Sequence, residues 1–258
     1  MIKVSKNLND VPKSLVHTSG TIGSNTHTKR QELIDSISYI DTAPYNNRYK
    51  YSDTKEKLKV IYNGKCAFCE NKVEQLHIEH YRPKAIYYWL AFSWDNLLLA
   101  CPNCNQFKGN NFQTIGPIAT YANVFLNSYN NYSSHYDVIE QPLLINPEVI
   151  DPSSIFTFSK NGKISSNNPR GIYTIQTCKL DRDHLNDERK KILDDFENDI
   201  ILAFATFNNT DDQKVAISQT MNSFLKRLQN SEENFIAFRK KCIEMKYLDD
   251  IIKKCIRS

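Results

Sequence analysis

Hydrophobic positions along the chain gather into a few periodic stretches separated by long polar intervals. Residues 1 to about 30 are rich in Ser, Thr and Asn with no sustained period; beyond a short strand candidate at Ile2 to Val4 they read as loop. Lys29 to Ile40 places Leu33, Ile34, Ile37 and Ile40 at the spacing of one helix face. Asp53 stands where it can cap a second helix, Thr54 to Tyr62, carrying Leu58 and Ile61. Asn63-Gly64 stops that helix, because glycine accepts the left-handed conformation that commonly follows one. Leu76 to His80 is a short strand ended by Pro83. Asn96 is a turn residue, and Leu97-Leu98-Leu99-Ala100 reads as a buried strand. A short helix starts at Cys104-Asn105 and runs on until Gly109 weakens it.

Phe112 to Gln141 is loop-like, with Asn, Ser and Tyr dense around Asn127 to Tyr136, and three prolines make 142–153 a turn-rich crossing. Ile155 to Ser159 and Lys163 to Ser165 flank Lys160-Asn161-Gly162, a hairpin signal because Asn and Gly both accept positive φ. From Asp183 the period becomes helical: Ile192, Leu193, Phe196, Ile200, Phe204 and Phe207 form one face. Asn208 to Asp211 breaks it. A further helix carries Ile217, Met221, Phe224, Leu225 and Leu228, and one capped by Ser231 carries Phe235, Phe238, Cys242 and Met245. These faces serve either as core or as a docking surface. The expected organisation is an N-terminal helical and loop extension (1–53), a compact centre (54–112), a loop-rich segment with a hairpin (113–182) and a helical region (183–258), either separate or packed as one domain.

Composition narrows the class without naming a function. A chain of 258 residues, 40% hydrophobic and 24% charged, can bury a sizeable core without disulfides. A net charge of +4 permits contact with nucleic acid but does not require it. The longest apolar run, Ala85 to Phe92, is far short of the ~20 residues of a spanning helix. The first residues lack the apolar stretch of a signal peptide. A cytoplasmic protein with no membrane partner is expected. The aromatic run from Tyr87 to Trp94 reads as core, base stacking being the other use of such a run.

Seven cysteines include two Cys-x-x-Cys pairs, Cys66/Cys69 and Cys101/Cys104. One tight turn brings two sulfurs to one ion, so the pairs together offer the four thiolates of a structural zinc site. Cys178, Cys242 and Cys255 are scattered along apolar faces and read as core. The closed segment carries polar residues that zinc does not need. Glu79 is a hard oxygen donor, and His80 can take a proton near neutral pH. Strict alternation sends them to opposite faces unless the strand ends or twists there. Asn105 offers a carbonyl oxygen near a helix N-terminus, with Lys108 on the same face. His77 shares the face of Glu79 and is read first as an ordinary strand histidine, with an extra ligand or phosphate contact as the other use.

Cys-x-x-Cys, Glu-His, then Asn-Leu-x-Leu-x-Cys-x-x-Cys-Asn-x-x-Lys resembles the His-Asn-His (HNH) endonuclease motif, two strands and a helix around one metal. The resemblance implies an α+β protein: a zinc-stapled ββα-metal core embedded in a mostly helical chain. It implies that His80 is the general base, Glu79 and Asn105 hold a catalytic Mg²⁺ or Mn²⁺, and Asn96 braces the loop between the strands. Lys108 then resembles a phosphate contact, with Arg82 and Lys84 as further candidates. Glu replaces the commoner Asp before the base, and Asn the commoner His at the third position. Ile78 to Lys84, Leu143 to Pro147, Asp151-Pro152 and Leu180 to Leu185 with Arg189 further resemble PtuB-like nuclease subunits of Septu-type anti-phage systems, some encoded with retrons. That likeness implies a PtuA-like partner ATPase of the ABC or SMC-like class, and in some cases a retron reverse transcriptase with its RNA and DNA. Arg170, Arg182 and Arg189 are read first as residues of solvated helix faces, with contact to nucleic acid or the partner as the other use.

Two other functions use the same cysteines. A zinc-knuckle module that binds nucleic acid or protein without cutting needs the four thiolates but not Glu79, His80 or Asn105. A redox Cys-x-x-Cys protein needs no zinc at all.

Overall fold

The computed structural model describes residues 1–122 and 129–257. About half of the described residues are helical, and among them there are two small antiparallel sheets. The central unit consists of β1 (His77–His80), β2 (Leu97–Ala100) and α4 (Pro102–Lys108). The strands pair antiparallel with His77 opposite Ala100 and His80 opposite Leu97. Every residue of β2 is fully buried, which explains why its apolar run does not alternate. Gly109 closes α4 at φ 46°, where glycine alone is unstrained. These elements make a strand–loop–strand–helix unit within a mixed α/β chain.

The N-terminal segment forms α1 (Ile22–Asp35), α2 (Ala43–Asn46) and α3 (Ser52–Ile61), and α3 packs on β2. Here the observed helix differs from the expected one over Lys29 to Ile40. It begins seven residues earlier, where Thr21 caps it by accepting from the Ser24 amide, and it stops at Asp35. Ile37 falls beyond it with φ 51° and is exposed. Asp53 lies inside α3 instead of capping it, and receives the Ser14 amide and hydroxyl. Ile2 to Val4 forms no strand; Val4 makes one backbone hydrogen bond, to Pro147.

The stretch Phe112 to Gln141, read as loop, includes residues 123–128, which lie outside the described residues. Its later part forms a 3₁₀ turn, Ser133–Tyr136, and α5 (Asp137–Glu140). The hairpin is present as β3 (Thr157–Phe158) and β4 (Ile164–Ser165), with Gly162 at φ 81° in its turn. It is followed by α6 (Pro169–Cys178), which hydrophobic periodicity did not reveal. Its start was nonetheless written in the chain: Asn168 caps it by accepting from the Arg170 amide, and Pro169 occupies its first turn.

The remaining helices are α7 (Asp183–Thr206), α8 (Thr210–Gln229), α9 (Ile236–Glu244) and α10 (Tyr247–Arg257). Ser231 does not cap α9, which begins after Phe235 in a left-handed conformation. α7 packs on α8 through the edge-to-face pair Phe196–Phe224, and α10 also packs on α7. The inner faces of α7 and α8 are therefore core, whereas Ile201, Leu202 and Val215 remain exposed. Among the described residues no helix is long and apolar enough to cross a membrane.

Candidate active site

The four thiol sulfurs of Cys66, Cys69, Cys101 and Cys104 lie within 4.8 Å of one another, all buried. Tetrahedral zinc with Zn–S near 2.3 Å separates its sulfurs by about 3.8 Å. Cys69 and Cys101 are 3.8 Å apart. Donor type, number and spacing fit a structural zinc ion. The staple is wired into the sheet at two points. The Ala67 amide donates to Leu99 in β2 at 2.7 Å, and Cys101, immediately after β2, caps α4 through its sulfur, 3.4 Å from the Cys104 amide. A ligand of the cluster thus also sets the start of the helix that carries Asn105 and Lys108.

Arg182 closes this cluster from outside. Its guanidinium lies 3.7 Å from Cys104 Sγ and 4.0 Å from Cys101 Sγ, and it donates to the carbonyls of Cys178 and Lys179. Arg189 is buried and donates to the Gly162 and Leu180 carbonyls. Neither stands on the solvated helix face expected for it, because uncommitted thiolates and carbonyls draw both guanidiniums inward.

Glu79 and His80 end β1, both buried. His80 Nε2 is 2.9 Å from the Ala91 carbonyl. A carbonyl only accepts, so Nε2 carries the proton and Nδ1 keeps the lone pair. Burial pushes the imidazole down to about 3, with Lys84, Lys108 and Lys50 adding to the effect against the Ala91 bond. Tyr49, from the connection between α2 and α3, meets the imidazole edge-on at 4.5 Å. Its phenol also lies within electrostatic range of Glu79, so the two neighbours on β1 converge around one tyrosine. No motif marks Tyr49; its place follows only from how the N-terminal segment folds back.

Burial raises the Glu79 carboxyl, and Lys108, 2.8 Å from Oε1, opposes that rise. Lys108 is completely buried and donates also to the His80 carbonyl at 2.7 Å. Expected as a phosphate contact, it instead has its ammonium occupied beneath the strand. Arg82, another candidate contact, is likewise occupied by protein partners. Only 1% exposed, it donates to Glu140 at 2.8 Å, Ser133 at 2.8 Å and Asp137 at 2.7 Å, amid the rings of Tyr81, Tyr87, Phe112 and Tyr136. Lys84 stays partly open, donating to Asn46 at 2.8 Å.

Asn96 is fully buried at the other end of the loop between the strands. Its Oδ1 accepts from the Arg82 amide at 2.8 Å, and its Nδ2 donates to the Arg82 and Leu90 carbonyls at 3.0 and 3.2 Å. Asn105 and His77 line a cleft of about 370 Å³ with Tyr49, Lys50, Lys55, Leu76 and Ile78. Among the described residues, the four cysteines are the only group of three or more His, Cys, Asp or Glu ligand atoms. Asn105 lines that cleft, whereas Glu79 is not among its lining residues and is held by Lys108.

Residues 66–111, which carry the thiolate cluster, both strands and α4, match the family described as HNH endonuclease. Beyond that segment the chain is similar to proteins of the Septu system. It is 34% identical over 167 residues to Septu protein PtuB of Bacillus mycoides (strain KBAB4), covering 58% of this chain and 54% of the relative. It is 37% identical over 92 residues to Septu protein PtuB of Bacillus thuringiensis, covering 34% of this chain and 33% of the relative. A third relative, Septu protein PtuA of Bacillus mycoides (strain KBAB4), is 28% identical over 156 residues, 55% of this chain but 21% of the relative. The chain spans about half the length of the first PtuB relative.

Proposed function

We propose that this protein is a metal-dependent endonuclease, with DNA the favoured substrate, acting as the cutting component of an anti-phage defence complex. The observation that carries the reading is the His80–Ala91 hydrogen bond. It holds the imidazole as the tautomer whose free nitrogen, Nδ1, can accept a proton from water. A hydroxide formed there attacks phosphorus, and the products carry a 5′-phosphate and a 3′-hydroxyl. The proton rests on Nδ1 while the Ala91 carbonyl holds the opposite nitrogen in place. An entering phosphodiester brings negative charge, which raises the basicity that burial had lowered.

Glu79 and Asn105 are the residues that would hold a catalytic Mg²⁺ or Mn²⁺, and its chemistry would be to neutralise charge on the phosphate and the departing oxygen. Lys108 opposes the rise that burial gives the Glu79 carboxyl. Asn96 holds both ends of the loop that positions His80. Lys84 remains a phosphate contact in this reading, and His77 a supplementary one.

The similarity to PtuB relatives supports a defence role, with a PtuA-like ATPase of the ABC or SMC-like class as the proposed partner. A segment like this chain forms about a fifth of one PtuA relative, which supports physical association of such units. A retron reverse transcriptase is the second bait for co-purification.

The test is cleavage of duplex DNA, single-stranded DNA and RNA with Mg²⁺, with and without an adjacently encoded ATPase. His80→Ala is expected to lower the rate roughly 10²–10⁴-fold while zinc stoichiometry and the fold are retained. Equal activity in that variant would overturn the assignment. Nucleic-acid binding without cleavage by any combination would leave a zinc-stapled binding module.

A further inference from the structure

One wall of the cleft lies outside the segment that matches the HNH family. Tyr49, Lys50 and Lys55 face it from residues preceding position 66, whereas Leu76, His77, Ile78 and Asn105 form the wall beside β1 and α4. No carboxylate is among these lining residues. The lysines of α3 and of the residues leading into it differ in their partners. Lys57 and Lys59 are paired with Asp10 and Glu56, whereas Lys50, just before α3, and Lys55 form no ion pair among the described residues. Lys50 is exposed and Lys55 partly so. Unpaired ammoniums facing an acid-free cleft gain most from a polyanion.

The need for such charge is set by the site itself. Arg82 and Lys108 are consumed in buried ion pairs, so they cannot neutralise backbone phosphates. Lys50 sits 5.5 Å from the Tyr49 ring centroid, and that ring touches His80, so a strand held at Lys50 passes close to the base.

We propose that residues 49–55 form a phosphate-binding wall in which Lys50 and Lys55 hold the sugar–phosphate backbone of a nucleic-acid strand lying along the cleft. The identity of the polyanion rests on the nuclease reading; the location of the site does not. The N-terminal extension is then part of the substrate channel, and Asn105 and His77 face the strand from the opposite side.

The experiment is binding, read without cleavage. Fluorescence anisotropy of the zinc-loaded full chain, without added magnesium, is followed against salt for a labelled duplex DNA, its single strand and the matching RNA. Each lost phosphate contact lowers the slope of log affinity against log salt by about 0.9 on a duplex and about 0.7 on a single strand. Lys50→Gln/Lys55→Gln is expected to lower the slope by about two contacts' worth. Lys214→Gln/Lys226→Gln, with the same charge change on α8, is expected to leave it as in the wild type. An unchanged slope in the first variant, an equal drop in the second, or no binding by the wild type at low salt overturns the proposal. Magnesium-dependent cleavage by the wild type and its loss in His80→Ala are scored separately, so the nuclease reading stands or falls on its own result.

Discussion

The Lys108 ammonium lies 2.8 Å from Glu79 Oε1, and both side chains are almost wholly withdrawn from solvent. Such a pair is costly to break on one side, because the remaining charge is left buried and alone. Lys108→Met is expected to destabilise the fold by about 3–5 kcal/mol, less where Glu79 escapes by taking up a proton. That escape has a sign. Without Lys108 the folded carboxyl titrates further above its unfolded value, so the folded state holds a proton the unfolded chain lacks. Its contribution is fully present below the unfolded value and is lost as pH rises through the folded one. Denaturant melts should therefore show a penalty that grows as pH rises through the titration of the buried carboxyl, and Glu79→Gln in the same chain should remove most of that growth.

The same pair marks where sequence reasoning succeeded and where it stopped. Spacing alone identified Cys66, Cys69, Cys101 and Cys104, because tetrahedral coordination restricts where thiolates stand along a chain. The apolar run Leu97 to Ala100 likewise announced a strand buried on both faces. Charge was legible at Lys108 and Arg82 but burial was not. Arg82 is satisfied by Glu140 and Asp137 more than fifty residues away, a pairing that no local pattern encodes. Tyr49 and Arg182 escaped for the same reason: each reaches the site by tertiary folding.

Arg182 supplies positive charge to two of the four thiolates. Groups that bond to metal ligands typically contribute 10–100-fold to metal affinity. Arg182→Leu is therefore expected to weaken zinc retention about 10–100-fold, measured by transfer to a chromophoric chelator. Arg182→Lys should restore it incompletely, since a single ammonium does not span both sulfurs and the two carbonyls as the planar guanidinium does. Retention equal to the wild type in the leucine variant would sink this role.

Asn96 uses its amide to hold the Arg82 amide and carbonyl and the Leu90 carbonyl, all inside the protein. Asn96→Ala strands those groups at a cost of about 1–3 kcal/mol each where water does not replace the bond. The loop from Tyr81 to Asn96 holds Ala91, whose carbonyl fixes His80. Loss of cleavage should thus accompany the loss of stability, with zinc content intact. Asn96→Asp should not rescue, because a carboxylate accepts from the Arg82 amide but repels the two carbonyls.

Asp95 provides a pH signature away from the cleft. Burial pushes its carboxyl up to about 7, against the opposing pull of the Ser133 amide and the Lys6 and Arg82 cations. Oδ2 accepts from that amide at 2.5 Å, while Oδ1 is buried without a hydrogen-bond partner. Folded Asp95 therefore keeps a proton over a range in which the unfolded chain has released it. The Asp95 contribution to stability should fall as pH rises from near 4 to near 7 and level off above, with a slope of about one proton. His80, whose imidazole burial pushes down to about 3, contributes with the opposite sign over the lower part of that range, and Glu79 and Glu148, which burial raises, contribute with the same sign as Asp95. Asp95→Asn is neutral throughout, so the slope of the wild type and that of the variant should differ by about one proton. Chemical denaturation at several pH values between 5 and 8 measures this directly; an unaltered slope in Asp95→Asn would place the titrating group elsewhere.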